Sequence, residues 1–270
     1  MKYSRYAIPS SNLAPGATIT VQTGTEDAEY PATCLSDINP AKPAMIEETD
    51  GAWLVDLGAA TRVDAVAFIH HNFERGATTL RLQGNTVDAW VAPPVDEEVD
   101  VPDDDADNFS VNPWIDLAAL FPDLGDRTLR YLRIVVENNP DAIALCELPI
   151  VGELLTFESR LMPGMNDGEE QPLLEHRTDH GVSTVYHFGS KWRHWTGELN
   201  LKTAAAEAAY KRLWQDARGR ARPWLFVPDH DANDAWFVRF DSTRYSPSRM
   251  TSKLRRLQVG IEELSRGLYL

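Results

Sequence analysis

The sequence predicts a mostly β protein: a sandwich of short antiparallel strands, then a second β-rich unit with a single helix. Three observations carry the prediction. Between residues 26 and 152, short apolar or alternating runs are separated by Gly, Pro and Asn, the pattern of all-β domains. After residue 153 only one stretch, 203–219, has a helical period. The charge also changes sign along the chain. The 270 residues carry a formal net charge of −15, yet residues 190–270 hold 15 Lys/Arg against 9 Asp/Glu. A split of that kind suggests two units with different surroundings. The chain accordingly divides into an arm at 1–24, a sandwich at 25–153 and a second unit at 154–270, with its helix near 203–218.

Residues 1–24 read as an irregular arm punctuated by Pro9, Pro15, Gly16 and Gly24, in which only Ala17 to Gln22 alternates like a strand. The sandwich strands are expected at Trp53–Leu57, Val63–Ile69, Thr78–Gln83, Tyr131–Val136 and Leu145–Val151. Asp96 to Asp107 carries eight carboxylates in twelve residues, with Pro102 and no aromatic, and reads as a mobile loop. It lacks the glycine that a calcium loop of the D-x-[DN]-x-[DN]-G kind requires. Residues 160–181 are polar and turn-rich. Val182–Phe188, His194–Leu201, Pro223–Val227, Ala235–Phe240 and Lys253–Leu264 then read as strands. The helix begins at Thr203, a good N-cap with Glu207 in the first turn, and stops at Gly219. Tyr210, Leu213, Trp214 and Ala217 fall on one face of it.

Composition excludes several classes. A 43% hydrophobic content with 8 Trp, 8 Tyr and 9 Phe can build cores, so the chain is not globally disordered. No run approaches the ~18 apolar residues of a membrane helix, and the N-terminus lacks the apolar region of a secretory signal. The acidic total argues against a protein that coats nucleic acid. No phosphate-loop, dinucleotide, serine-hydrolase or zinc-protease motif is present, and no catalytic set is recognisable. The closest metal-like string, His176-Arg-Thr-Asp-His180, needs a helix that Gly181 and the polar flanks disfavour.

Four sets of residues remain as candidates. His71, Asn72 and Arg75 follow a strand and could form a sugar- or partner-contacting loop, or a polar cluster that closes a strand connection. Neighbouring strand residues point to opposite sides, so at most one of His70 and His71 is expected inside. Cys34 and Cys146 lie near the two ends of the first unit and read as reduced thiols, although a bridge is geometrically allowed. The run Arg218–Arg222 and the cluster Arg244, Arg249, Lys253, Arg255 and Arg256 are basic. Alternation puts Lys253 and Arg255 on one strand face. That face reads as solvated, or as an oligomer interface meeting the acidic first unit of a neighbouring copy.

Gly51-Ala-Trp-Leu-Val-Asp-Leu-Gly58, Val63 to Ile69, Arg130-Tyr-Leu-Arg-Ile134 and Ile143 to Gly152 together resemble the discoidin, or galactose-binding-like, jelly roll. The resemblance covers about half the chain and implies a sandwich whose end loops contact glycans. It also implies a structural calcium near an early Asp and a late Glu, which map to Asp37 and Glu147. Trp195-Thr-Gly-Glu-Leu-Asn200, the helix with Tyr210, Arg220 to Asp229, Trp236 to Phe240 and Val259 to Gly267 resemble the C-terminal part of distal tail and baseplate proteins of long-tailed bacteriophages. The two resemblances imply a non-enzymatic structural subunit of a tail tip, made in the bacterial cytoplasm and placed at the end of the tail tube. Its partners would be further copies closing a ring by heterologous contacts and other tail proteins, without nucleic acid or membrane insertion. The alternative is a carbohydrate-binding adhesin that contacts host-surface glycan. A glycan-active enzyme, a further alternative, needs a carboxylate pair that the sequence does not reveal.

Overall fold

The structure is a computed structural model. It describes residues 4–37, 42–102, 112–156, 166–170, 173–177, 183–187, 192–201, 203–228, 235–242, 245–249 and 255–263. The first half contains β1 (Arg5–Ala7), β2 (Thr18–Thr23), β3 (Ala44–Ile46), β4 (Gly51–Arg62), β5 (Ala65–Ala67), β6 (Ile69–His71), β7 (Thr79–Asn85), β8 (Val95–Val99), β9 (Trp114–Asp116), α1 (Leu117–Leu120), β10 (Thr128–Glu137), β11 (Ile143–Glu147) and β12 (Ile150–Val151). The second half contains β13 (Leu155–Thr156), β14 (Asn166–Glu170), β15 (Leu173–Arg177), β16 (Ser183–His187), β17 (Trp192–Leu201), α2 (Ala204–Ala217), β18 (Trp224–Val227), β19 (Trp236–Phe240), β20 (Ser248–Arg249) and β21 (Arg255–Glu263).

The mostly β class holds, and the sandwich is built as alternation requires. A five-stranded antiparallel sheet runs β2-β4-β10-β7-β8. Along β10, Leu132, Ile134 and Val136 are fully buried, whereas Tyr131, Arg133 and Val135 between them are half-buried on the other face. Two three-stranded sheets, β3-β11-β6 and β12-β5-β9, lie opposite. Trp53, Val55, Val66, Phe68, Leu82 and Ile134 belong to the core cluster between the layers.

A third layer covers the far side of the small sheets. It is the C-terminal sheet, ordered β13-β1-β18-β19-β21-β17-β14 with β20 on β21. Ala65, Ala67 and Ile69 share an apolar cluster with Leu225, Val227 and Phe237 of that sheet, while Val66 and Phe68 face the sandwich core. Both faces of this segment are therefore buried, so Ala65 to Ile69 is apolar throughout instead of alternating. The expected single strand there is two strands, β5 and β6, in different sheets. Leu145–Val151 likewise divides into β11 and β12 at Pro149, which has no N–H for a ladder.

The segment read as an irregular arm divides between the two units. Residues 18–23 pair with β4 in the sandwich, whereas β1 pairs with both β13 and β18 in the C-terminal sheet. Tyr6 and Ile8 are buried among Trp224, Phe226 and α2. The chain thus leaves the C-terminal sheet at Ala7, builds the sandwich, and returns to the strand beside its departure point at Leu155.

Three other expectations change. Asp96–Val99 is not loop: it lies in β8, paired with β7, while Asp103 to Asp107 lie outside the described residues. The polar stretch 160–181 contains β14, on the edge of the C-terminal sheet, and β15, paired with β16. Its glycines and charges hid both strands, although β14 pairs at a distance with β17 and β15 forms a local hairpin with β16. His176 accordingly sits in a strand, and His180 lies outside the described residues. The helix holds as expected at its start, where Thr203 Oγ1 accepts the Ala206 N–H at 3.0 Å. Its stop is shared: Arg218 takes the left-handed conformation at φ 49° and Gly219 follows at 65°.

The two units are joined by charge as well as by apolar surface. Asp64 is 1% exposed. It accepts from Arg62 Nε at 2.7 Å, Arg127 Nη1 at 2.7 Å and the Leu154 N–H at 3.0 Å, which ties the sandwich edge to the start of β13. Arg5 of β1 pairs with Asp116, whose other oxygen caps α1 through the Ala119 N–H at 2.9 Å. Three donors on the buried Asp64 carboxyl leave it well satisfied in its hydrogen bonds.

Candidate functional site

The sandwich has two ends and one free face. At one end, where β4 begins and β10 finishes, three connections are tied together by side chains. Asn72 donates from Nδ2 to the Ala142 carbonyl at 2.7 Å and accepts the Ala144 N–H at 2.9 Å. Thr78 Oγ1 donates to Asn139 Oδ1 at 2.8 Å and accepts the Glu74 N–H at 2.9 Å. Asp50 accepts the Asn138 N–H at 2.6 Å. Glu74 and Arg75 are exposed on this fastened end.

The three loop candidates therefore differ in situation. Arg75 is on the surface. Asn72 holds the loops together. His71 is 5% exposed, stacks on Phe73 at 4.7 Å, and accepts the Phe73 N–H at Nδ1. The expectation that only one neighbouring histidine lies inside fails: His70 is 4% exposed too. It has a left-handed backbone at φ 54°, donates its N–H to Asn112 at 2.8 Å, and faces Glu263 of β21 at 3.8 Å. Sequence could not foresee this, because the second buried side exists only once the C-terminal sheet covers it.

Asp37 and Glu147 come together. Glu147 ends β11, is 3% exposed, and neither carboxylate oxygen finds a hydrogen-bond partner among the described residues. Burial, reinforced by the nearby Asp37 carboxylate, pushes its pKa up to about 8. Asp37 follows the short 3-10 turn at Ala32–Ser36, which packs against β11. A small cavity of about 10 Å³, room for one water or ion, lies between Asp37, Glu147, Ser36 and Asn12. Two carboxylates, one of them buried and orphaned, suit a hard oxygen-seeking cation. No group of three or more His, Cys, Asp or Glu forms a metal site among the described residues, so the other ligands would be backbone carbonyls or water.

Of the interface candidates, Arg244 and Lys253 lie outside the described residues, and Arg255 is placed in β21 by its backbone pairing with Leu201. Cys34 and Cys146 are free thiols, Cys146 buried and Cys34 partly so.

A surface that sequence reading passed over lies on the outer face of the five-stranded sheet. Arg133 points outward beside Gln83, and its guanidinium carbon sits 6.0 Å from the Trp90 ring centroid. Trp90 belongs to the 86–94 connection, which alternation does not organise. Its indole N–H donates to Asp88 at 2.8 Å.

No family model matches the chain, and no curated protein does. Solved structures do. The family 32 carbohydrate-binding module from C. perfringens NanJ in complex with galactose is 13% identical, with a TM-score of 0.38, over 54% of this chain and 98% of that one. The lectin domain of lectinolysin complexed with Lewis B antigen is 16% identical, at 0.39, over 54% and 99%. A chitosan-binding module from Paenibacillus sp. IK-5 is 20% identical, at 0.39, over 53% and 98%. Each is a small module matched over nearly its whole length by about half of this chain, and no residue role is carried over from them.

Proposed function

We propose that the chain is a carbohydrate-binding protein without a reaction of its own, in which a glycan-contacting sandwich is held on a β-rich mount. The observation that carries this is the fastened loop end. Its connections are fixed by Asn72, Thr78, Asn139 and Asp50, so little further ordering is needed on binding. It offers Arg75, Glu74 and neighbouring carboxylates, groups that hydrogen-bond hydroxyls. Arg75→Ala is expected to weaken binding on a glycan array about tenfold, the loss of one charged hydrogen bond, with thermal unfolding unchanged. An array on which the wild-type protein finds no glycan removes the reading.

Calcium is the ion assigned to Asp37 and Glu147. Their carboxylates would hold it, and its charge would offset their repulsion and fasten the 3-10 turn to β11.

A second reading, assembly at the tip of a long phage tail, is favoured by one observation. Lys211 midway along α2, and Arg218 and Arg222 beyond its end, are exposed and form no ion pair among the described residues. They suit an acidic partner surface, which the sandwich of a second copy offers. This reading expects an oligomer by light scattering at low salt that dissociates as salt is raised. A monomer under every condition ends it.

A further inference from the structure

We infer that the free outer face of the five-stranded sheet is a second ligand platform, one that takes a neutral oligosaccharide against Trp90 and Tyr131. The far side of the opposite sheets is occupied by the C-terminal sheet, so this is the sandwich's one broad face not buried against the other unit.

Alternation gathers the platform. Trp53, Val55, Leu132, Ile134, Leu80 and Leu82 point into the core. Asp56, Tyr131 and Asn85 therefore stand in one cross-strand row outside, and Arg133, Gln83 and Asp96 in the next. A register shift between Leu129 and Tyr131 re-aims Arg130, whose guanidinium carbon sits 4.8 Å from the Tyr131 ring centroid. Two half-buried aromatic rings, each with a guanidinium over it, thus belong to this face.

The rings are held in place before any ligand arrives. Asn85 Nδ2 donates to the Ala89 carbonyl at 2.6 Å and fastens the 86–94 connection. Gln83 is only 8% exposed although it is on the outer face, its Oε1 accepting from Arg133 at 3.3 Å and its Nε2 donating to Asp96 at 3.1 Å. Around this centre Arg81 and Asp96 keep 47% and 36% of their side chains exposed, and Arg130 and Asp56 keep 39% and 30%. Aromatic rings with a guanidinium over one face and carboxylates near their edges suit a pyranose, which has an apolar C–H face and a rim of hydroxyls.

The charges choose among ligands. Arg130 pairs with Asp56 at 2.9 Å and Arg81 with Asp96 at 3.0 Å, which leaves Arg133, hydrogen-bonded to the neutral Gln83, as the one cation of these rows without a carboxylate partner among the described residues. A polyanion, whether nucleic acid or sulfated glycan, would need several unmatched cations. The ligand is therefore neutral.

The inference shares its ligand class with the proposed function but uses a different surface, so the two are separable. The intact protein is titrated against immobilised neutral oligosaccharides built on galactose, fucose, glucose and N-acetylglucosamine. Trp90→Ala and Tyr131→Ala are each expected to weaken binding about tenfold. Arg75→Ala serves as the control for the loop end, and thermal unfolding confirms that each variant is folded. Tyr131→Phe, which keeps the ring, is expected to bind like wild type. Binding lost in Arg75→Ala but kept in Trp90→Ala overturns the platform and leaves the loop end standing. Binding lost in Trp90→Ala but kept in Arg75→Ala supports the platform and removes the loop end. Wild-type protein that binds none of the panel overturns the platform as well.

Discussion

Deleting residues 1–8 is expected to unfold the C-terminal sheet and leave the sandwich folded. In sequence these residues look dispensable, yet β1 is an interior strand between β13 and β18. Its loss removes the pairings Arg5–Val227, Tyr6–Phe226 and Ala7–Leu225, and exposes the edge of β18. It also empties the positions of Tyr6 and Ile8, each 2% exposed, in a cluster with Trp224, Phe226 and Tyr210. Tyr6→Ala alone should cost about 3–5 kcal/mol by analogy with other buried aromatic truncations, a large part of a typical stability of about 5–15 kcal/mol. Among the described residues the buried sandwich core begins at Ala14, with Leu13 packed against it, so limited proteolysis of the truncated protein should leave a resistant fragment spanning roughly residues 12–152. A truncated protein that unfolds in urea with the wild-type midpoint would show that β1 is not part of the mount.

This nesting also explains which parts of the molecule were legible in sequence. Strands that bury one face announced themselves: Tyr131–Val136 alternates because Leu132, Ile134 and Val136 face the core and Arg133 faces water. The helix was legible from its cap and from the spacing of Tyr210, Leu213 and Ala217, all buried. Short strands whose partners are distant in sequence were not. Three residues of β1 carry no period, and their meaning depends on partners some 220 residues away. The acidic residues 96–98 resemble loop by their charge, yet the buried Val95 and Val99 that flank them anchor a strand. Among site residues, Glu147 came from a resemblance, and its orphaned oxygens give it physical content that no spacing could. Trp90 carried a signal, a lone aromatic in a turn-rich connection, but that signal points nowhere until the strand register sets Arg133 beside it.

Calcium is expected to raise the melting temperature, and to raise it more at pH 8 than at pH 5.5. Glu147 has an ordinary value near 4.5 in the unfolded chain and about 8 when folded without metal. Below pH 4.5 both states hold the proton and the group contributes no pH dependence. Between 4.5 and 8 the folded state keeps a proton that the unfolded state releases, so the metal-free fold loses stability as pH rises, by at most about 1.4 kcal/mol per pH unit. Above 8 the penalty of ionising a buried carboxylate is fully present. Calcium binds the ionised form and offsets that penalty, so its effect grows over the same interval. In a protein of this size each kcal/mol corresponds to roughly 2–4 °C, a range that scanning calorimetry resolves. Glu147→Gln provides the decisive comparison, because it keeps the shape and removes the charge. The metal-free variant should lose less stability than wild type between pH 5.5 and 8, and should melt at the same temperature in calcium and in chelator. If instead wild type ignores calcium at pH 8 while Glu147→Gln flattens the pH dependence, the carboxyl is a buried acid that stays protonated, and the cation assignment is wrong. If the variant matches wild type in both respects, Glu147 is neither.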